Sequence, residues 1–180
     1  EEEGIQSFYK ILKLNLEKIK HNYDYNIIFV LDKSSDNSLQ KLEELSTKDH
    51  LTKILVLSKR FGHQMSLVAG IDSCDSDIVI MMDSDLQHPP ELITELLKKH
   101  EMGFDVVYTI RKYEKDKNIF RKKASTIFYK FLNILSDLQL EDGEADFRLI
   151  SRKVANVFKS SIREQNQFLR GLFFWVGFKR

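Results

Sequence analysis

Four short apolar runs recur along this chain, at residues 26–31 (NIIFVL), 53–57 (KILVL), 77–82 (DIVIMM) and 105–110 (DVVYTI), each set off from the next by a helical segment. No other feature restricts the fold as much. The runs are continuous rather than alternating, as expected of strands covered on both faces. Ahead of the first, Ile5, Phe8, Leu12, Leu16 and Ile19 recur at the three- and four-residue spacing of an amphipathic helix. Leu39, Leu42 and Leu45 repeat that spacing after it, and a further helix is expected over about His63–Ser73. Pro89 and Pro90 start another, because proline's fixed φ suits a first helical turn, and Gly103 stops it. Such alternation predicts an α/β fold: a mostly parallel sheet flanked by helices on both faces.

The second half is less regular. A long helix is expected around Phe120, Ala124, Ile127, Phe131 and Leu135, then the segment DFRLIS, then a last helix over about Phe168–Phe173. No internal repeat, linker or low-complexity segment interrupts the 180 residues, so positions 1–180 read as one domain. A chain of this length buries roughly 70% of its unfolded surface. Its net charge of +1 points to no polyanionic partner such as nucleic acid. The lone Cys74 excludes an internal disulfide. No apolar run approaches the about 18 residues of a membrane span.

Ligands of such sheets gather at the carboxyl ends of the strands. There IVIMM runs into Asp83 and Asp85, one residue apart. Two carboxylates so close repel one another unless a cation lies between them, and oxygen donors of this kind select Mg²⁺ or Mn²⁺. The competing reading is a solvated turn that only begins the Pro-Pro helix. At the end of the first run, Asp32 in LDKSSDNS admits two readings, a ribose or base contact and a turn with helix capping. Arg60 and His63 precede a helix whose N-terminus favours anions, a position suited to a diphosphate or to simple surface residues. The sequence has no G-x-G-x-x-G and no G-x-x-x-x-G-K-[ST], which removes support for dinucleotide and P-loop readings.

Residues 111–123 carry seven basic side chains against Glu114 and Asp116, either a solvated loop or a patch facing an anionic headgroup. Asp146 and Arg148 share a face if their segment is extended, and an Asp beside an Arg stays ionised. They make a structural ion pair or a pair that orients and deprotonates an acceptor. Five aromatics surround Arg170 and Gly171 near the end of the chain. Most belong to a core, whereas Trp175 and Arg170 could meet an apolar, phosphorylated acceptor.

Taken together, DKSSDNS, KRFGHQMSLVAGID, DSDLQHPPEL, FDVVYTIR, FRKKASTIFYKFLNILS, DFRLISR and FLRGLFFWVGFKR resemble, in order and spacing, an inverting family 2 glycosyltransferase of the GT-A fold. The resemblance is to the branch that moves sugars onto polyprenyl and dolichyl phosphates. It implies that Asp83 and Asp85 hold Mg²⁺ or Mn²⁺, with Gln87 close to metal and diphosphate, and that Asp32 contacts the nucleotide. Arg60 and His63 would approach the donor. Arg111, Arg121, Arg170 and Trp175 would face the acceptor, and Asp146, Arg148 and Asp85 would form the catalytic set.

The partners implied are a nucleotide-diphosphate sugar, a polyprenyl-phosphate lipid and a membrane surface, placing a cytoplasmic domain at the inner face of the plasma membrane. Two departures stand out. The first strand-end motif reads LDKSS where the family has D-D-G-S or N-D-G-S, and the chain begins at EEEGI where the family's first strand should just have ended. The expectation is therefore a GT-A sheet lacking its first strand, cut at the N-terminus, in a family whose members often continue into membrane helices. Rival expectations are transfer to a glycan hydroxyl, a nucleotidyltransferase, and a catalytically silent nucleotide-binding protein.

Overall fold

The computed structural model describes residues 4–111, 143–164 and 167–180. Its elements follow the predicted alternation: α1 (Ile5–Glu17), β1 (Ile27–Leu31), α2 (Ser38–Lys48), β2 (Thr52–Val56), α3 (His63–Asp72) and β3 (Ile78–Met81). A 3-10 turn (Pro90–Leu92) then leads into α4 (Ile93–Glu101), followed by β4 (Val106–Ile110), β5 (Glu144–Ser151), α5 (Arg152–Ser160) and α6 (Leu169–Trp175). The helix expected around Phe120–Leu135, with Arg121, lies outside the described residues.

The strands form two sheets. β1 and β2 pair in parallel, Ile27 opposite Thr52 through Leu31 opposite Val56. β5 lies between β3 and β4 and runs antiparallel to both. The α/β class holds, and β3 and β4 are parallel to one another. β5 joins those two strands from the opposite direction, an antiparallel strand within the expected α/β arrangement. Strand direction leaves no mark on a fully buried apolar run, so periodicity could not have revealed it.

Every residue of β5 is buried, and its two faces serve two cores. Phe147 and Leu149 pack with Phe8, Leu12 and Leu16 of α1 and Ile93, Leu96 and Leu97 of α4. Ile150 packs on the other face with Val68 and Ile71 of α3, Val154 and Phe158 of α5, and Leu169 and Phe173 of α6. The same alternation divides β3, with Val79 and Met81 on one side and Ile78 and Ile80 on the other. α5 escaped the sequence reading, although Val154, Ala155 and Phe158 give it a buried stripe. Its packing is tight, the rings of Phe158 and Phe173 lying 4.5 Å apart.

Register, more than chain order, assembles one edge of this sheet. Met81 at the end of β3 faces Arg148 in β5, and across β4 the same Arg148 faces Tyr108. Because β5 is antiparallel, its first residues, Glu144 and Asp146, lie at the edge where β3 and β4 end.

Candidate functional site

The turn after β3 is tightly built. Asp83 donates its backbone N–H to His88 Nδ1 at 2.9 Å, and Gln87 N–H donates to Asp85 Oδ1 at 2.9 Å. Between them Leu86 adopts φ 64°, a left-handed conformation that costs a non-glycine residue of order 1 kcal/mol. The turn therefore stores strain that its hydrogen bonds must hold. Asp85 and Gln87 face solvent, whereas Asp83 is half-buried between two histidines, its Oδ1 3.6 Å from His63 Nε2 and its Oδ2 3.4 Å from His88 Nδ1.

On the far side of His63 stands Asp146. His63 Nε2 lies 3.3 Å from Asp146 Oδ2, and since a carboxylate only accepts, this nitrogen carries the proton. Arg170 grips Asp146 with both arms of its fork, Nε to Oδ1 at 3.0 Å and Nη2 to Oδ2 at 2.9 Å. Burial pushes the Asp146 carboxyl up, but the hydrogen bonds of His63 and Arg170 and the charges of Arg170 and Arg148 outweigh it and hold it well below the usual carboxylate range. The contact with Asp146 raises the His63 pKa against burial, with the charge of Asp83 adding to the effect. One imidazole thus bridges the Asp83 carboxylate of the turn after β3 and the Asp146 carboxylate of β5.

Arg148 lies behind this group, 1% exposed, its Nη2 3.3 Å from Glu144 Oε1 and 3.5 Å from Asp146 Oδ1. Its guanidinium rests 4.6 Å from the centre of the Phe173 ring. Its influence on the site therefore runs through Asp146. Among the described residues Nη1 has no hydrogen-bond partner. Burial raises the Glu144 pKa and lowers that of Arg148, each offset by the other's charge.

Asp32 is engaged at the ends of β1 and β2. Its Oδ1 accepts the N–H of Phe61 at 2.9 Å and its Oδ2 that of Gly62 at 2.7 Å. Burial raises its pKa, but these bonds, that of Lys33 N–H and the charge of Arg60 more than reverse the shift. Asp32 thereby anchors the loop that carries Arg60 to His63, where Gly62 holds φ 89°. Arg60 itself is exposed.

Arg111 sits at the end of β4, its Nη2 2.9 Å from His88 Nε2, so His88 links it to the Asp83 turn. Trp175, 69% exposed at the end of α6, is directed to solvent. His88 and Glu144 were missed in the sequence. Glu144 continues the alternation through Asp146 and Arg148 and could have been found by it, whereas nothing in DLQHPP sets His88 apart.

The structure thus brings together Asp83, His63, Asp146, Arg170 and, from behind, Arg148. His88 joins Asp83 to Arg111, and Asp32 and Arg60 form a neighbouring loop cluster. As a cation site the Asp83–Asp85 turn supplies hard carboxylate oxygens. Among the described residues no group of three or more His, Cys, Asp or Glu side chains could hold a metal. Two carboxylates suffice for Mg²⁺, which keeps several waters and takes its other ligands from phosphates, so the donor set fits.

Residues 5–158 match the family model described as glycosyl transferase family 2. Similar proteins include the uncharacterised glycosyltransferase YkcC of Bacillus subtilis (strain 168), 39% identical over 180 residues, covering 100% of this chain and 55% of that protein. A prophage bactoprenol glucosyl transferase homolog of Escherichia coli (strain K12) is 35% identical over 179 residues, 99% of this chain and 58% of that protein. The bactoprenol glucosyl transferase of Shigella phage SfX is 36% identical over 177 residues, 98% and 57% respectively. The chain spans a little over half the length of these relatives.

Proposed function

This chain belongs to glycosyl transferase family 2, and from that premise we propose that it is the catalytic region of an inverting, metal-dependent enzyme moving a sugar from a UDP- or GDP-sugar to a polyprenyl phosphate. The relatives named for bactoprenol supply the acceptor class. The observation that carries the reading is the state of Asp146. A carboxylate gripped by Arg170 and held below its usual pKa is a weak base, poorly matched to deprotonating a hydroxyl at neutral pH. A lipid phosphate is already anionic and requires no base. The site therefore favours a phosphate acceptor over a glycan hydroxyl.

In this reading Asp83 and Asp85 hold Mg²⁺ or Mn²⁺, which when bound offsets the negative charge that develops on the departing diphosphate. The acceptor phosphate oxygen attacks the anomeric carbon opposite the leaving group. One carbon–oxygen bond forms as the bond to the nucleoside diphosphate breaks, the electron pair leaves with the diphosphate, and no proton needs to move. Arg111 attracts the acceptor phosphate. Asp146 and Arg170, fixed by their fork and backed by Arg148, set the floor against which sugar and acceptor are oriented. His63, positively biased between two carboxylates, tempers the repulsion between the Asp83 and Asp146 sides. Asp32 positions the Arg60 loop near the nucleotide. A membrane surface is the natural source of such an acceptor, and the proposal sets the enzyme against it, at the cytoplasmic face of the plasma membrane. No helix among the described residues is long and apolar enough to cross a membrane itself.

Calorimetric titration with UDP and GDP, with and without Mn²⁺, tests the donor side. Binding of one nucleotide that depends on Mn²⁺ and is lost in Asp85→Ala is expected. A folded chain that binds neither would contradict donor use.

A further inference from the structure

Trp175 is the only tryptophan of the chain, and it is 69% exposed. A side chain of that size is normally well covered, so its place at the end of α6 asks for a reason. Phe168, just before the same helix, is 47% exposed. Seven residues are two helical turns, which sets these two rings in line on the outer face of α6. Arg170 leaves the helix on the opposite side, toward Asp146. The tail that follows α6 is fixed to the rest of the chain. Val176 and Phe178 pack against the core beneath the helix, and the Lys179 carbonyl accepts the N–H groups of Asp105 and Val106 at 2.9 and 3.1 Å. Lys179 and Arg180 are left exposed. Each lies on an aromatic ring, Lys179 Nζ 4.5 Å from the centre of Phe104 and the Arg180 guanidinium carbon 3.6 Å from that of Phe174. A ring holds a cation in place without cancelling its charge, as a carboxylate would.

We propose that the outer face of α6 and its tail, formed by Phe168, Trp175, Lys179 and Arg180, docks on a bilayer that carries anionic headgroups. The chemistry of the face selects this occupant. Tryptophan settles at the headgroup level, where its apolar body and its polar N–H are both accommodated. Long cationic side chains reach lipid phosphates there while their stems stay on apolar surface. Each cation near such a surface strengthens binding about fivefold. With Phe168 and Trp175 both in contact, α6 lies along the membrane and its other side holds Arg170 against Asp146. About one helix diameter, roughly 10 Å, then separates the bilayer surface from the site. The inference deepens the proposed function by naming the face that meets the membrane, and it rests on that reading only for the presence of an acceptor there.

The test begins with the unaltered chain, because no other tryptophan contributes to its emission. Vesicles of phosphatidylcholine, and of phosphatidylcholine and phosphatidylglycerol in equal parts, are titrated into the chain. With the anionic vesicles the Trp175 emission should shift to the blue and be quenched by lipids brominated near the headgroup end of their acyl chains. Partition onto phosphatidylcholine alone should be weaker by about twentyfold or more, two cations contributing about fivefold each. Lys179→Gln and Arg180→Gln should each weaken partition onto the anionic vesicles about fivefold, and Phe168→Ala should weaken partition onto both kinds. No vesicle binding, binding with Trp175 unshifted and unquenched, or binding that ignores both Gln variants overturns the proposal. A blue shift that grows with protein concentration in the absence of vesicles assigns the face to a second copy of the chain and overturns it as well. Docking by a chain that binds neither UDP nor GDP overturns the proposed function alone. Nucleotide binding without docking overturns this inference alone.

Discussion

Removing Arg170 should expose how much the carboxylate at the centre of the site depends on its partner. Asp146 is 8% exposed at the side chain and Arg170 30%, and the two share a fork of two hydrogen bonds. Deleting one member of a fully buried pair costs about 3–5 kcal/mol, because a charge is left behind. Here Arg170 is partly solvated, and His63 and Arg148 remain beside Asp146, so Arg170→Ala should cost about 2 kcal/mol at neutral pH. For a chain of this size that lowers the melting temperature by about 4–8 °C. The sign with pH follows from the depressed Asp146 pKa. Its contribution is fully present above the unfolded carboxylate value of about 3.9 and is lost as pH falls toward the lower folded value. Urea unfolding of wild-type and Arg170→Ala at pH 7 and pH 3 measures it. The gap should be at its full width at pH 7 and no wider at pH 3, where it only begins to close because the folded carboxyl is still ionised. A gap that widens toward pH 3, or none at pH 7, would refute the ion-pair account of Asp146.

Other consequences follow from single contacts. Gly62→Ala should lose about 1–3 kcal/mol in urea unfolding, since φ 89° with ψ 163° is a glycine conformation, and among the described residues no atom lies within 4 Å of the added methyl to clash. Phe173→Ala should cost about 3–5 kcal/mol by the same assay, removing the ring that packs on Phe158 and lies under Arg148. Asp49 accepts from Tyr9 at 2.6 Å, Lys13 at 3.0 Å and Thr52 at 3.1 Å, tying α1 to the turn before β2. Burial raises its pKa, but those bonds hold it well below the carboxylate range, so Asp49→Asn should remove about 1–2 kcal/mol at pH 7 and progressively less below pH of about 4.

The elements that carry their own periodicity were legible. α1 buries the Ile5, Phe8, Leu12 and Leu16 that announced it, and four apolar runs became four strands. The carboxylates of Asp83 and Asp85 could be placed because a strand end is a local feature. What could not be read was non-local. The meeting of Asp146 with His63, 83 residues apart in the chain, depends on the antiparallel register of β5, which no spacing encodes. The location of Asp32 admitted both a nucleotide contact and a capped turn, whereas its bonds to Phe61 and Gly62 arise from how two loops fold against each other. His88 was invisible for the same reason, since burial between Asp83 and Arg111 is a property of the assembled edge.

The most direct test is transfer itself. Labelled UDP- and GDP-sugars are offered with Mg²⁺ or Mn²⁺ to a polyprenyl phosphate and, separately, to a glycan acceptor, and the product's anomeric configuration is determined. A glycosyl phospholipid of inverted configuration, formed from one nucleotide donor and lost in Asp85→Ala, is the predicted result. Transfer to the glycan hydroxyl alone, or a product that retains the donor's configuration, would contradict it.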